Sequence, residues 1–289
     1  VEAARAVREA ISEACRPAYG VARDAARQDR EVESEAVLAA IPPDLALRIK
    51  AAIAPHLHES ATRGARGEWE QLTARRSRAA SGWRWKAAMP MPASVVLAVR
   101  RWLDGVLREP YWLDVEQSIR ESVADAINAG TVAGESNPQI ARRVQAVLGP
   151  TQSAHRAMNI AATEVAGSLN AGADASRGEV AKATGAVIYK RWMATLDGDV
   201  RPAHRAANGQ RVKQDEDFVV GGERCSFPGD TRLSAGQRCR CRCAASSEVG
   251  EETWASPADL PAHHAPADHV YPARSRILRP WKGVGKELT

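Results

Sequence analysis

The sequence predicts an α+β protein that is mainly α, with a helical N-terminal region, a small α+β domain and an extended Pro-rich tail. Three observations carry this reading. Apolar residues make up 44% of the 289 positions and recur at helical spacing up to Gly185. Aromatic residues are only 5% while Ala recurs throughout, which suits closely packed helices better than a thick β-sandwich. After Gly185 the pattern changes to that of short strands. The length suffices for two packed units, which we place at 1–150 (helical) and 151–248 (α+β), followed by the tail at 249–289.

Taken in order, Ala3, Val7, Ala10, Ile11 and Ala14, then Val21 and Ala25, predict two short amphipathic helices interrupted around Pro17 and Gly20. Val32, Ala36 and Val37 continue the pattern to Ala40. Ile41-Pro42-Pro43 stops it, and Asp44 caps a helix through Leu45, Ile49 and Ile53 that Pro55 bends or ends. From Ala61 to Ala93 the pattern is broken by glycines and prolines, so this stretch reads as a linker or a loop ordered by a partner. A broad stripe from Val95 to Leu107 predicts a helix ending near Pro110. Asp114 caps the next, with Val115, Ile119, Val123 and Ile127 on one face and Gly130 at its end. Ser136-Asn137-Pro138 reads as a cap with Pro in the first turn, and Gly149-Pro150 as a stop. A long Ala-rich helix runs from Ser153 to Gly185, carrying the polar positions Thr163, Glu164 and Asn170. Val187 to Met193 is a strand, Arg238 to Ala244 a second, and five prolines beyond Glu248 leave the tail extended.

Forty basic against 35 acidic residues give a formal charge of +5, a surface dense in both signs. The basic residues concentrate at Arg75, Arg76, Arg78, Arg84 and Lys86, and at Arg238, Arg240 and Arg242. The first group is either a contact for the phosphates of double-stranded DNA or a solvated basic face. Trp83 and Trp85 within it either stack on a base or pin a loop onto a core. No apolar run is long enough to span a bilayer and the first residues do not resemble a signal peptide, so a soluble chain with no membrane contact is expected. Five Cys, an odd number with three at Cys239, Cys241 and Cys243, suit a reducing compartment better than a disulfide framework.

The chain from about 155 to 245 carries a series of motifs in order. Ala161-Ala162-Thr163-Glu164-Val165 with Asn170 is followed by Tyr189-Lys190-Arg191-Trp192. Next come Thr195-Leu196-Asp197-Gly198-Asp199-Val200-Arg201-Pro202-Ala203-His204 and Asn208-Gly209-Gln210. Phe218, Gly221-Gly222-Glu223, Phe227-Pro228-Gly229-Asp230 and Cys241-Arg242-Cys243 complete the series. Together these resemble the phage Mu F-like head morphogenesis family of minor capsid proteins. One departure is Arg240, preceded by an additional Cys239, where the family commonly has Asn before Cys-Arg-Cys. The resemblance implies a virion protein of the head and portal region, assembled in the host cytoplasm, that associates with the portal protein and acts in head assembly, DNA packaging or DNA delivery. Major capsid or scaffolding protein and the packaged DNA are further expected partners. Trp192, Asp197, Arg201, His204, Gly209, Pro228, Cys241, Arg242 and Cys243 are then expected to hold loop and strand in register.

If 238–244 is a strand, Cys239, Cys241 and Cys243 share one face and Arg238, Arg240 and Arg242 the other. Thiolates with a His are a plausible zinc set, here His204, Cys225, Cys241 and Cys243, although their spacing is not that of a paired Cys-x-x-Cys knuckle. The alternative needs no cofactor: Cys241 and Cys243 are small buried apolar residues, and His204, Asp197 and Arg242 form a polar network. Glu164, Asp197, Asp199, Arg201 and His204 would serve a metal-dependent hydrolase or a transferase only by converging in one cleft. With no phosphate-binding Gly loop and no nucleophile elbow, a non-enzymatic role is expected, with a DNA-binding ejection or packaging factor as the alternative to a portal-associated one.

Overall fold

Helix follows the Ala-rich apolar stripes of the first half. The computed structural model describes residues 1–79, 82–86, 90–108 and 110–250. It begins with α1 (Glu2–Arg27), whose Val7, Ile11, Ala14, Ala18, Ala22 and Ala25 are buried. The break expected at Pro17 and Gly20 does not occur. Pro17 lies on the exposed side, where water can serve the carbonyl it deprives of a partner, while the buried stripe continues on the opposite side. After α2 (Ser34–Ala39), α3 (Leu45–Thr73) likewise runs through an exposed Pro55. Asp44 sits at the N-cap of α3 without a side-chain cap bond, because its carboxylate accepts from Arg48 Nε at 2.9 Å instead.

Of the stretch from Ala61 to Ala93, read as a linker or a partner-ordered loop, 61–73 is helical, and 80–81 and 87–89 lie outside the described residues. Helix α3 continues to Thr73 and is followed by an antiparallel hairpin, β1 (Arg75–Ala79) and β2 (Gly82–Lys86), with Arg75 opposite Lys86 and Arg78 opposite Trp83. Gly64, which reads as a breaker, is a close-approach point: a Cβ there would come within 2.0 Å of the Leu169 carbonyl oxygen.

Four further helices complete the layer: α4 (Ala93–Arg108), α5 (Tyr111–Val132), α6 (Asn137–Leu148) and α7 (Pro150–Thr184). Helix α5 starts three residues before Asp114, which therefore lies in its first turn rather than at its cap. Pro110 takes the cap position, and Trp112 is fully buried with Nε1 donating to the Val106 carbonyl at 3.0 Å. Helix α6 has a capping box between Ser136 and Gln139, and α7 ends at Gly185 with φ 70°, both at the expected places. One apolar cluster takes residues from all seven helices and from Ala186, Ile188 and Val249, so this core extends past residue 150.

The seam between α3 and α7 is built from small residues. A Cβ on Gly172 would meet the Ala61 carbonyl oxygen at 1.9 Å. Ser60 Oγ donates to the Val165 carbonyl at 2.9 Å and Ser176 Oγ to the Ala65 carbonyl at 2.7 Å. The backbones touch directly, as Gly, Ala and Ser at a crossing permit.

Beyond Gly185 the chain forms β3 (Ile188–Met193), α8 (Pro202–Ala207), β4 (Arg211–Lys213), β5 (Phe218–Val220), β6 (Glu223–Cys225), α9 (Ala235–Arg238) and β7 (Ala244–Val249). One antiparallel sheet has the order β4-β3-β7, and β5 pairs with β6 as a separate hairpin. A second, smaller core gathers Trp192, Ala207, Phe218, Val220, Cys225, Leu233, Cys241 and Cys243. The fold is therefore α+β and mainly α. The strand expected at 238–244 is a correction: Ala235–Arg238 is helical, Arg240 has φ 52°, and strand begins only at Ala244. Alternating Arg and Cys mimic a strand, but the Arg240 N–H turns to donate to Thr163 Oγ1 on α7 at 2.9 Å. The Pro-rich tail lies beyond Gly250, outside the described residues. Among those described, no helix is long and apolar enough to cross a membrane.

Candidate functional site

Helix α7 carries a row of polar side chains that hold the segment from Phe227 to Cys243. Besides Thr163, Glu164 is buried and accepts from Arg238 Nη2 at 2.6 Å, and the Arg238 guanidinium lies 4.8 Å from the Tyr111 ring centroid. Burial pushes the Glu164 carboxyl up, against the pull of Arg238. Asn170 Nδ2 donates to the carbonyls of Pro228 at 3.0 Å and Cys243 at 3.1 Å, fastening two loops with one amide. Gly229, at φ 85°, rests on Gly167: a Cβ on Gly167 would stand 3.0 Å from the Gly229 carbonyl oxygen.

A second set ties the loop after β3 to the Cys-Arg-Cys segment. Asp197 accepts both guanidinium arms of Arg242, at 2.5 and 2.8 Å, and also the Asp199 N–H. The Arg242 hydrogen bond holds the Asp197 carboxyl below the usual carboxylate range. Thr195 Oγ1 donates to the Arg242 carbonyl at 2.8 Å, and Arg201 donates to the carbonyls of Gln237 and Cys239. Gly209, at φ 81°, returns the chain to β3 by donating to the Trp192 carbonyl at 2.8 Å. Trp192 is fully buried, edge-on to both His204 and Phe218 at 5.7 and 5.3 Å, and its Nε1 is buried with no hydrogen-bond partner among the described residues.

The third set is a thiol–imidazole cluster. His204 on α8, Cys241 and Cys243 are all buried, and their candidate ligand atoms lie within 4.8 Å of one another. His204 Nδ1 is 3.3 Å from Cys243 Sγ and 3.7 Å from Cys241 Sγ, while Nε2 is 3.1 Å from Gln237 Oε1. An amide oxygen only accepts, so the Gln237 contact puts the imidazole proton on Nε2 and turns the Nδ1 lone pair to the sulfurs. The hydrogen bond from Cys241 brings the Cys243 thiol down, against burial. Its bond to Cys243, with burial, pushes Cys241 up.

A fourth set joins the helical layer to the sheet. Arg177 of α7 is fully buried, with Nε donating to Gln214 Oε1 at 3.1 Å and ion pairs to Glu68 at 3.5 Å and Asp174 at 3.4 Å. Lys190 of β3 is buried 3.7 Å from Asp174, and Ser247 of β7 donates to Glu68. Two acids and two bases leave the joint formally neutral, which keeps buried charge tolerable. Burial pushes the Glu68 carboxyl up and the Lys190 amine down.

The expected motif residues thus gather in one unit, in several pairings along the segment from Gln237 to Cys243. Asp197 and Arg242 meet; His204 is engaged instead with the two thiols and Gln237. Cys225 is buried in the smaller core, its thiol pushed up to about 12 by burial, and stands outside the group formed by His204, Cys241 and Cys243. Cys239 is exposed. Arg75, Arg76, Arg78, Arg84 and Lys86 all fall on the β1–β2 hairpin. Sequence reasoning missed Gln237, Asp174, Arg177 and the clasp in which Arg232 bridges Asp217 and Asp230. For Gln237 the one available signal is Ser234 three residues earlier, a start for the short α9.

Known proteins agree with the motifs. The family described as Phage Mu protein F like protein matches residues 117–246, reaching back to include most of α5 and all of α6. Minor head protein GP7 of Bacillus phage SPP1 is 35% identical over 125 residues, 43% of this chain and 39% of that protein. NAD(+)--arginine ADP-ribosyltransferase EFV of Enterococcus faecalis (strain ATCC 700802 / V583) is 31% identical over 126 residues, 43% of this chain and 25% of that protein. The match thus spans well under half of either relative's length. No solved structure matches the chain significantly. Residues 117–246 thus match the Phage Mu protein F like family, which the ordered motifs from Thr163 to Cys243 resemble.

Proposed function

We propose that this chain is a minor head protein of a tailed phage or prophage, acting in head morphogenesis through association with the portal. The observation that carries the reading is the match of residues 117–246 to the Phage Mu protein F like family, joined by the similarity to a minor head protein. The arrangement of the motif residues supports it. Glu164 and Asp197 are each held by an arginine, and Arg201 and His204 both reach Gln237, as in a scaffold that holds its loops fixed. The unit 151–248, with most of α5 and all of α6 inside the matched segment, is then the shared scaffold, and the exposed faces of the helices of 1–150 supply the partner surface. Major capsid or scaffolding protein and the packaged DNA are secondary partners. Similarity over a quarter of a transferase's length does not bring its named activity here.

The test is co-purification of the full chain with the portal protein encoded beside it, in low and in high salt. A complex that survives high salt is expected from apolar helix docking. Loss of binding as salt rises would move the contact to charge, through DNA or the basic β1–β2 hairpin, and no binding at either salt would overturn the portal association.

A further inference from the structure

The buried cluster of His204, Cys241 and Cys243 does more than fill space. Tetrahedral zinc bonds sulfur at about 2.3 Å and imidazole nitrogen at about 2.0–2.1 Å, which places neighbouring ligand atoms roughly 3.5 Å apart. The sulfurs stand 3.3 and 3.7 Å from His204 Nδ1, on either side of that value. The second ring nitrogen is held by Gln237 Oε1 at 3.1 Å, the outer contact by which a metal-bound imidazole is usually oriented. Charge also favours an ion here: two thiolates and a neutral imidazole cancel a divalent cation, leaving a neutral group in a buried place.

The fold gives the ion a purpose. The smaller core has eight buried members, two of them these cysteines, and small apolar cores are commonly reinforced by a metal or a disulfide. The three donors come from α8 and from the segment between α9 and β7, separated by the short strands β4, β5 and β6 and the single turn of α9.

We propose that His204 Nδ1, Cys241 Sγ and Cys243 Sγ bind one zinc ion, which clasps α8 to the Cys-Arg-Cys segment. As the two sulfur–metal bonds form, any proton on either thiol passes to solvent, and the fourth position is taken by water. Gln237 is a positioning residue that fixes the imidazole. The inference does not depend on the head-protein reading, and its readouts need no partner.

The experiment is elemental analysis of the purified full-length chain after incubation with excess zinc and desalting, with unfolding followed in parallel. About one zinc per chain is expected, with a higher melting temperature than the chelator-treated protein. The cobalt-loaded protein should show thiolate-to-metal charge-transfer absorption. Cys241→Ser with Cys243→Ser should lose both, whereas Cys225→Ser, in the same core but outside the ligand group, should keep them. Because the double variant can fail to fold, Gln237→Ala provides the milder case: a folded protein binding zinc about 10–100-fold more weakly in chelator competition. Folded wild-type protein that takes up no zinc, or zinc retained by the folded double variant, would overturn the site. Unchanged affinity in Gln237→Ala would overturn the assignment of Nδ1 as the ligand atom.

Discussion

Gly172→Ala tests the seam that joins α3 to α7. The new Cβ would stand 1.9 Å from the Ala61 carbonyl oxygen, 2.7 Å from its carbon and 2.9 Å from the Ala65 nitrogen. All three are backbone atoms, so no rotamer change relieves the clash. The helices must part by about 1.5 Å before ordinary contact is restored, and a close-packed interior resists that. Alanine gains about 1 kcal/mol in helix propensity over glycine. Against this, overpacking costs about 1–3 kcal/mol. Parting also stretches the Ser60–Val165 and Ser176–Ala65 hydrogen bonds, each worth about 1 kcal/mol. The net expectation is a loss of about 2–4 kcal/mol, or a melting temperature lower by about 5–15 °C. Gly178→Ala, on the same helix with nothing within 4 Å of its Cβ, is the control and should be neutral or stabilised by up to about 1 kcal/mol. Thermal and urea unfolding followed by far-ultraviolet circular dichroism reads both. A Gly172→Ala protein as stable as Gly178→Ala would refute the direct backbone contact.

Three other outcomes follow from the buried groups. Glu164→Gln leaves the Arg238 guanidinium buried without its counter-charge and should cost about 3–5 kcal/mol, most of it recovered when Glu164→Leu is combined with Arg238→Met; single and double variants whose effects simply add would show that the pair is not coupled. Titration of the native protein with a thiol reagent near neutral pH should find one fast thiol, lost in Cys239→Ser, since Cys239 is exposed, Cys241 and Cys243 are buried beside His204, and burial pushes Cys15 up to about 11 and Cys225 up to about 12; rapid reaction at Cys225 would contradict its place in the core. The hydrogen bonds from Arg232 lower the Asp217 carboxyl from 3.8, so its contribution is complete above that value and is lost as pH falls through the lower, folded-state value. Asp217→Asn should therefore cost about 1 kcal/mol or less near neutrality and flatten the acid limb of the stability curve, and an unchanged acid limb would count against the clasp.

What the sequence made legible was local chemistry. Ser136 and Gln139 form the capping box of α6 within four residues, Gly185 closes α7, and the apolar and β-branched run after it forms β3. The misreadings arose where tertiary packing overrides a local signal. Pro17 and Pro55 break helices in isolation, yet both sit on exposed faces of helices held by long buried stripes. Gly64 reads as a weakness until Leu169 is seen to need the space. The alternation of Arg and Cys after Gln237 has the period of a strand, but Thr163 on a distant helix draws Arg240 into a left-handed turn. Thiolate and imidazole chemistry grouped His204, Cys225, Cys241 and Cys243, and the fold brings His204 to Cys241 and Cys243 across 37 and 39 residues. Residue type alone could not separate them from Cys225, because a buried apolar thiol and a ligand thiol look alike until the fold orients them.

The central claim is that the chain is a component of the phage head, and peptide mass spectrometry of purified heads tests it most directly. Heads assembled from the structural genes that accompany this chain should contain it beside the portal protein, in far fewer copies than the major capsid protein. Its absence from both mature heads and their precursors, in preparations where the portal is detected, would contradict the account.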